Sequence, residues 1–283
     1  MALAIVSDST AGLSKEFIEA NDISILPLSI NFSDASYQEG QDLAASEIYQ
    51  KLASSSEQAS TSQPSAGLVS QVYEDLASEY DEILVITLSK KLSGTFQTAQ
   101  MLSQDYDQVN IVVFDSQTAT QAHAWLVEAA VNLRQQGKEL AEILPVLEKM
   151  AATSQIYFVV DDLSYLVKGG RLSPTAAALG NLLSVKPLIT ITDGEIQVKE
   201  KIRSVRKVNQ KIIDIARQSL ADYPVKLAFL EVAPSSASQQ LYTDLKGQFP
   251  DYVIEKRMIT PVIGTHVGPS AYGLALIADL EEV

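Results

Sequence analysis

The sequence predicts an α/β protein of two domains, an N-terminal three-layer domain on a mainly parallel sheet and a C-terminal α+β domain with a mixed or antiparallel sheet. Three observations carry this. The chain has 283 residues, long for one core and comfortable for two. Up to about residue 151, short apolar runs alternate with helix-period segments, the order that gives parallel strands covered by helices. From Ile156 the texture changes, and Asp193-Gly194 joins two strand-like runs with a strong hairpin signal. The boundary is placed near 152–156, giving domains 1–153 and 154–283, and no internal repeat is visible.

The elements follow in order. Leu3 to Val6 is a short strand ending in Ser7-Asp8-Ser9-Thr10, a polar cluster where open α/β sheets place ligands. Ser14 caps a short helix through Ala20. Ile23 to Phe32 reads as extended, interrupted by Pro27, and Ser46 to Leu52 as helix. A serine-rich run, Ser54 to Ser60, precedes Thr61-Ser62-Gln63-Pro64-Ser65. Leu68, Val69, Val72, Tyr73 and Leu76 then mark one buried helix face over 66–79, with Pro64 suited to its first turn. Ile83 to Leu88 is apolar enough for a strand buried on both faces. Ser89 to Phe96 is a polar turn into a helix from Gln97 to Leu102. Val109 to Phe114 is the next strand, and helices follow over roughly 121–136 and 139–151.

In the second half, Ile156 to Val160 reads as strand and Leu163 to Val167 as helix. Lys168-Gly169-Gly170-Arg171 is a sharp turn, and Pro174 opens an Ala-rich helix. Pro187 to Thr192 and Ile196 to Ile202 form the hairpin. Ser204 caps a helix to about Leu220. Leu227 to Val232 and Val253 to Ile259 are strands around a helix near 236–247. Gly264-Thr265-His266-Val267-Gly268-Pro269 reads as a tight loop before a final apolar segment, Tyr272 to Ile277.

Composition narrows the function. Hydrophobic residues make up 46% and charged residues 20%, ordinary for a globular chain. A net charge of −14 repels nucleic acid and anionic membranes. With no cysteine and two separated histidines, thiol chemistry, Cys-ligated zinc and a His-rich metal site are not expected. No apolar run approaches the roughly 20 residues of a membrane span, and the N-terminus lacks a basic signal-peptide region. The expectation is a cytoplasmic protein without stable membrane insertion.

Several residues have chemistry to offer. Thr61 and Ser62, upstream of a helix N-terminus, are placed to hold an anion such as a carboxylate or phosphate; ordinary capping by Ser and Gln is the alternative. Ser93 precedes Gly94, which lets a ligand approach the backbone, and it also stands at a helix start. Two hydroxyls at two helix starts would converge on one anion. Read instead as a nucleophile, Ser93 lacks the G-x-S-x-G elbow. His266, between Gly264 and Gly268, is a site candidate, whereas His123, beside Ala122 and Trp125 in a predicted helix, reads by default as a satisfied or exposed helix histidine. Lys168 to Arg171 lacks the P-loop pattern and is either a glycine turn or a phosphate contact. Lys199 to Arg217 carries seven basic residues against Glu200 and Asp214, a solvated face or a docking surface for an acidic partner.

Taken in order, Ser7-Asp8-Ser9, Thr61-Ser62-Gln63-Pro64-Ser65, Leu92-Ser93-Gly94-Thr95, Asp115-Ser116, Gly169-Gly170-Arg171, Lys186-Pro187, Asp193-Gly194, Arg203 and Gly264 to Pro269 resemble the DegV family of fatty-acid-binding proteins. The ordered set spans nearly the whole chain. The resemblance implies two α/β domains with a long-chain fatty acid near their interface. It implies a carboxylate held by Thr61, Ser93 and His266, with Ser62, Gly94 and Thr95 in support. It implies no catalytic residue and no cofactor, the acid being presented to a separate ATP-dependent fatty acid kinase subunit whose acyl-phosphate product feeds phospholipid synthesis. Arg171 and Arg203 match family arginines near the mouth, where that partner would dock. The stretch after Ser116 departs from the family's small, glycine-containing pattern, so Ala122, His123 and Trp125 are expected to reshape a pocket wall. The alternative is a serine-dependent esterase or thioesterase using Ser93 and His266.

Overall fold

The computed structural model describes residues 2–55, 58–177, 185–222 and 224–280. The first part of the chain runs β1 (Leu3–Asp8), α1 (Lys15–Ala20), β2 (Ile23–Leu26), β3 (Ser29–Asn31), β4 (Ser36–Gln38), α2 (Ala45–Ser54), β5 (Ser60–Ser62), α3 (Ala66–Ala77), β6 (Glu82–Thr87), α4 (Thr95–Ser103), β7 (Asn110–Asp115), α5 (Thr120–Gln135) and α6 (Leu140–Thr153). It continues with β8 (Gln155–Val159), α7 (Ser164–Lys168), α8 (Pro174–Ala177), β9 (Lys186–Thr192), β10 (Glu195–Ile202), α9 (Val205–Asp222), β11 (Val225–Glu231), α10 (Ser236–Gln248), β12 (Ile254–Met258), α11 (Pro261–Val267) and β13 (Tyr272–Ala278).

The strands form three sheets. The first is parallel, in the order β2-β1-β6-β7. The second has the order β10-β9-β8-β13-β11-β12 and is antiparallel except where β11 meets β12. The predicted class, α/β with one parallel and one mixed sheet, is the observed one. A third, small antiparallel sheet has the order β4-β3-β5.

Side-chain alternation sorts the core into layers. In the parallel sheet, Ala4, Val6, Ile83 and Val85 pack against Val69 and Tyr73 of α3 and Ala99 of α4. Leu3, Ile5, Leu84 and Ile86 turn the other way, toward α5 and α6. Ile156, Phe158, Leu230 and Ala275 of the mixed sheet face the same two helices. Its opposite face, with Val159, Phe229 and Leu276, packs on Val208 and Ile212 of α9 and Leu241 of α10. Helices α5 and α6 thus lie between the two sheets. This explains why α5 is buried nearly all round from Thr120 to Val127. Trp125 is fully buried there, and its Nε1 donates to Glu255 Oε1 at 3.0 Å.

Local signals account for most element ends. Ser14 Oγ accepts from Phe17 N–H and Ser204 Oγ from Lys207 N–H, as capping requires. Asp193 (φ 51°) and Gly194 (φ 77°) make the two-residue turn between β9 and β10. Three readings are corrected. Ile23 to Phe32 is not one extended run, because Pro27 separates β2, in the parallel sheet, from β3, in the small sheet. Pro64 lies outside its helix, which begins at Ala66 with Ser65 as N-cap. Gly264 to Val267 is helical rather than a loop, since Pro261 opens α11 at its first position and Gly268 ends it in a positive-φ conformation. Most of the Ala-rich segment after Pro174 lies outside the described residues.

Candidate functional site

The C-terminal ends of β1, β6 and β7 meet at the point where chain order reverses across the parallel sheet, the usual ligand position in such folds. A cavity opens beside them. Its apolar lining comes from Leu88, Leu92 and Ala119 of the sheet loops, Ile156, Phe158, Ile191, Ile196 and Leu230 of the mixed sheet, and Ile259, Val262 and Ile263 around α11. The β9–β10 hairpin closes one side. Ser89 Oγ donates to Gly194 O at 2.7 Å, which sets Ile191 and Ile196 over Leu88, Leu92 and Ala119.

Thr61, Ser62, Gln63, Ser93, Arg171 and His266 also line this cavity. Thr61 is carried by β5, where it pairs with Ile30, and not by a helix start as its sequence context suggested. Its Oγ1 lies 2.7 Å from His266 Nε2. His266, 8% exposed, sits in the last turn of α11. Burial, and then the charge of Arg171, depress its pKa to about 4, so the ring is neutral near pH 7. Its Nδ1 has no hydrogen-bond partner and faces Gly169, where an added Cβ would collide with it. With one proton on the ring, a Thr61 hydroxyl that donates to a ligand must itself accept from Nε2–H. The pair can therefore offer its donor to an anion.

Ser93 is buried one residue before the N-cap of α4. Its Oγ lies 2.9 Å from Thr95 Oγ1 and accepts from Thr95 N–H at 3.3 Å. Thr95, fully buried, thus holds the Ser93 side chain in place. Gly94 has a different purpose from the one read in the sequence. The space a Cβ would take there is filled by the Gln63 side chain, whose amide bonds Thr98 Oγ1. Gly94 therefore admits a neighbouring side chain. Ser62 is exposed and accepts from Asn31 Nδ2 at 2.8 Å.

Arg171, expected near the mouth or on a glycine turn, is half-buried and belongs to the cavity wall. Its Nε donates to Leu92 O at 3.0 Å and its Nη1 to Gly169 O at 2.5 Å. It thereby bridges the loop of Ser93 and the glycine turn beneath His266. Arg203 is exposed and outside the cavity lining. Ala122, His123 and Trp125 do not line the cavity either, contrary to expectation. His123 Nε2 instead meets Ser7 Oγ at 3.3 Å and Ile86 O at 3.1 Å, inside the parallel-sheet layer. Ala119 and Thr120 provide that wall, Thr120 with a left-handed φ of 54°. The basic run from Lys199 is a solvated face in part, with Lys211 paired to Glu200 and Arg217 to Asp214.

Ser93 and His266 are not hydrogen-bonded to each other: the imidazole is engaged by Thr61 and the serine by Thr95. Among the described residues no helix is long and apolar enough to cross a membrane.

Known proteins share this fold. The family model described as an uncharacterised protein of the DegV family matches residues 2–279. A DegV domain-containing protein of Streptococcus pneumoniae is 34% identical over 98% of this chain and 99% of its own. Protein DegV of Bacillus subtilis is 32% identical over 97% of this chain and 98% of its own. Among solved structures, DegV of Bacillus subtilis, described as a fatty acid binding protein, has a TM-score of 0.90 and 31% identity, covering 99% of this chain and 100% of that one. A fatty acid binding DegV family protein of Streptococcus agalactiae has a TM-score of 0.92 and 29% identity over 99% of both chains. Ordered motifs, fold and matches over nearly full length together show that the chain belongs to the DegV family.

Proposed function

We propose that this protein binds a long-chain fatty acid, with the acyl chain in the apolar cavity and the carboxylate at Thr61, Ser93 and His266. The observation that carries the reading is the cavity itself, lined mainly by apolar side chains, with two hydroxyls, a neutral imidazole and a guanidinium grouped at one end through the Thr61–His266 contact and the Arg171 bonds to Leu92 and Gly169. The structural relatives described as fatty acid binding support it.

The energetics are favourable. Burying an acyl chain is worth about 0.8 kcal/mol per methylene before ordering costs. A buried carboxylate without partners would cancel much of that gain. The Thr61 and Ser93 hydroxyls satisfy its lone pairs, the imidazole turns the Thr61 proton toward it by donating to Thr61 Oγ1, and Arg171 supplies nearby positive charge. Exposed Ser62 and Gln63 border this end, so the headgroup lies toward the surface.

The protein acts as a ligand-presenting subunit, offering the carboxylate to a separate ATP-dependent fatty acid kinase. The family resemblance supports this step, and Arg171 and Arg203 are the docking candidates. An esterase reading is disfavoured by the engagement of His266 with Thr61 instead of Ser93. The test is twofold. Solvent extraction of the denatured protein should release fatty acid, and the loaded protein with a fatty acid kinase and ATP should yield acyl-phosphate. A loaded protein that gives no product with such kinases would remove the presenting role and leave binding intact.

A further inference from the structure

The carboxylate-binding groups come from separate elements: Thr61 from β5, Ser93 from the loop before α4, and His266 from α11. Their mutual geometry has to be fixed by contacts between those elements. We infer that Glu39, held by the β1 turn, is a positioning residue that ties the first turn of α11, and with it His266, to the small sheet that bears Thr61. This rests on the fatty-acid reading and assigns its geometry to residues outside the cavity lining.

Helix α11 has seven residues, and its N-cap, Thr260, makes no side-chain capping bond. Its first-turn N–H groups therefore need partners from elsewhere. Val262 N–H donates to Glu39 Oε1 at 2.6 Å, a residue 223 positions away. Glu39 directly follows β4, and its own N–H donates to Leu28 O at 2.8 Å, which pins it beside β3. Its Oε2 accepts from Ser9 Oγ at 2.7 Å, and Ser9 Oγ in turn accepts from Leu28 N–H at 3.1 Å. A second tie reaches the same segment, since Tyr49 OH of α2 donates to Ile259 O at 2.6 Å.

Glu39 is only 6% exposed. The titratable groups that face it are Asp8, from β1, and Tyr49, from α2; Ser9 and Thr260 are the neutral polar neighbours. None supplies a compensating positive charge, so a carboxylate here is a costly cap. Its reach explains its use, because one side chain spans from the β1 turn to α11.

The neighbouring residue performs the matching task for Ser93. Asp8, fully buried, accepts from Thr10 N–H at 3.0 Å and from Leu88 N–H at 2.7 Å. Leu88 opens the loop that ends in Ser93. The Ser7-Asp8-Ser9 motif thus anchors the Ser93 loop through Asp8, and α11 with the small sheet through Ser9 and Glu39.

The test uses the full chain, with a long-chain fatty acid as probe, in wild type, Glu39→Ala, Glu39→Gln, Thr61→Ala and the Glu39→Ala/Thr61→Ala double variant. Hydrogen exchange of the α11 amides is measured without ligand. Glu39→Ala should weaken fatty-acid binding about tenfold and speed exchange in α11. Glu39→Gln, whose amide oxygen still accepts from Val262, should restore most of both. In the Thr61→Ala background the alanine substitution should add little, because the geometry it protects is already gone. Effects that multiply fully in the double variant, or unchanged binding and exchange in Glu39→Ala, would overturn the assignment. Should the alanine variant not fold, Glu39→Asp, shorter by one methylene, gives the same readouts. A wild type that takes up no fatty acid, while α11 still loses protection in Glu39→Ala, would strike the binding reading and spare the tie.

Discussion

The two ends of the cavity are built on opposite rules. At the polar end, Thr61, Ser93 and His266 each have a hydrogen-bonding neighbour that fixes them, and the loop of Ser93 and helix α11 are tied in turn to Asp8 and, through Glu39, to Ser9. Along the apolar wall, Ile156, Phe158, Ile191, Ile196 and Leu230 contribute area alone. Hydrogen bonds are directional and depend on particular atoms, whereas apolar contact is additive and tolerant of exchange. Substitutions at the first end should therefore act as all-or-none losses, and at the second as graded ones.

The largest effect expected is at the polar end. Thr61→Ala with Ser93→Ala removes two hydrogen bonds to a charged group, each worth about 1.5–3 kcal/mol. Fatty-acid affinity should fall by a hundredfold or more in a titration, while the melting temperature stays close to wild type. An unchanged affinity would show that the ends do not differ as described.

Next comes the charge that organises that end. Burial raises the Glu39 pKa from 4.5 to about 7. Because the folded pKa is the higher one, the folded state holds the proton more tightly, and stability is lost as pH rises from about 4.5 through 7. The upper bound is about 3 kcal/mol. His266 has the opposite sign: its pKa is depressed from 6.5 to about 4, so its share of stability is lost as pH falls through that window. Glu39→Gln should flatten the decline on the alkaline side of denaturant-unfolding curves taken at several pH values. A decline of the same size in the variant would remove Glu39 as its source.

Gly169→Ala sharpens the contrast, because Gly169 has an ordinary φ of −69° and the added methyl meets His266 Nδ1. The crowding should cost about 1–3 kcal/mol, read as weaker fatty-acid binding with the headgroup end displaced. At the apolar wall, Ile196→Ala should weaken binding only about threefold to tenfold, from the smaller contact area. A loss there as large as that of the hydroxyl pair would break the comparison. Arg203→Glu is expected to leave fatty-acid content unchanged and to lower only kinase-coupled turnover at limiting protein.

The same asymmetry explains what could be read from the sequence. Ile83 to Leu88 announces a strand because a parallel strand is apolar on both faces, and Asp193-Gly194 announces its turn because few pairs accept positive φ. The small sheet gives no such signal. Its strands are three residues long and β5 is wholly polar, so Thr61 reads as part of a loop. The Gly264 to Pro269 stretch reads as loop because glycine and proline dominate it, although Thr260-Pro261 carried the signal for a helix start. Thr61, Ser93 and His266 each stand out as candidates by local context, but only the ordered set of motifs joins the three in one carboxylate site. Arg171 could be marked from sequence, but not its place in the wall. Glu39 was missed because a lone glutamate in a polar stretch looks solvated, and only the fold buries it.

On the proposed reading the cavity holds a long-chain fatty acid by its carboxylate. Mass spectrometry of a solvent extract from the purified, denatured protein tests it most directly. One fatty acid per chain is expected in the wild type, and a depleted extract from Thr61→Ala/Ser93→Ala prepared identically. An empty wild-type protein that also takes up no added fatty acid would contradict it.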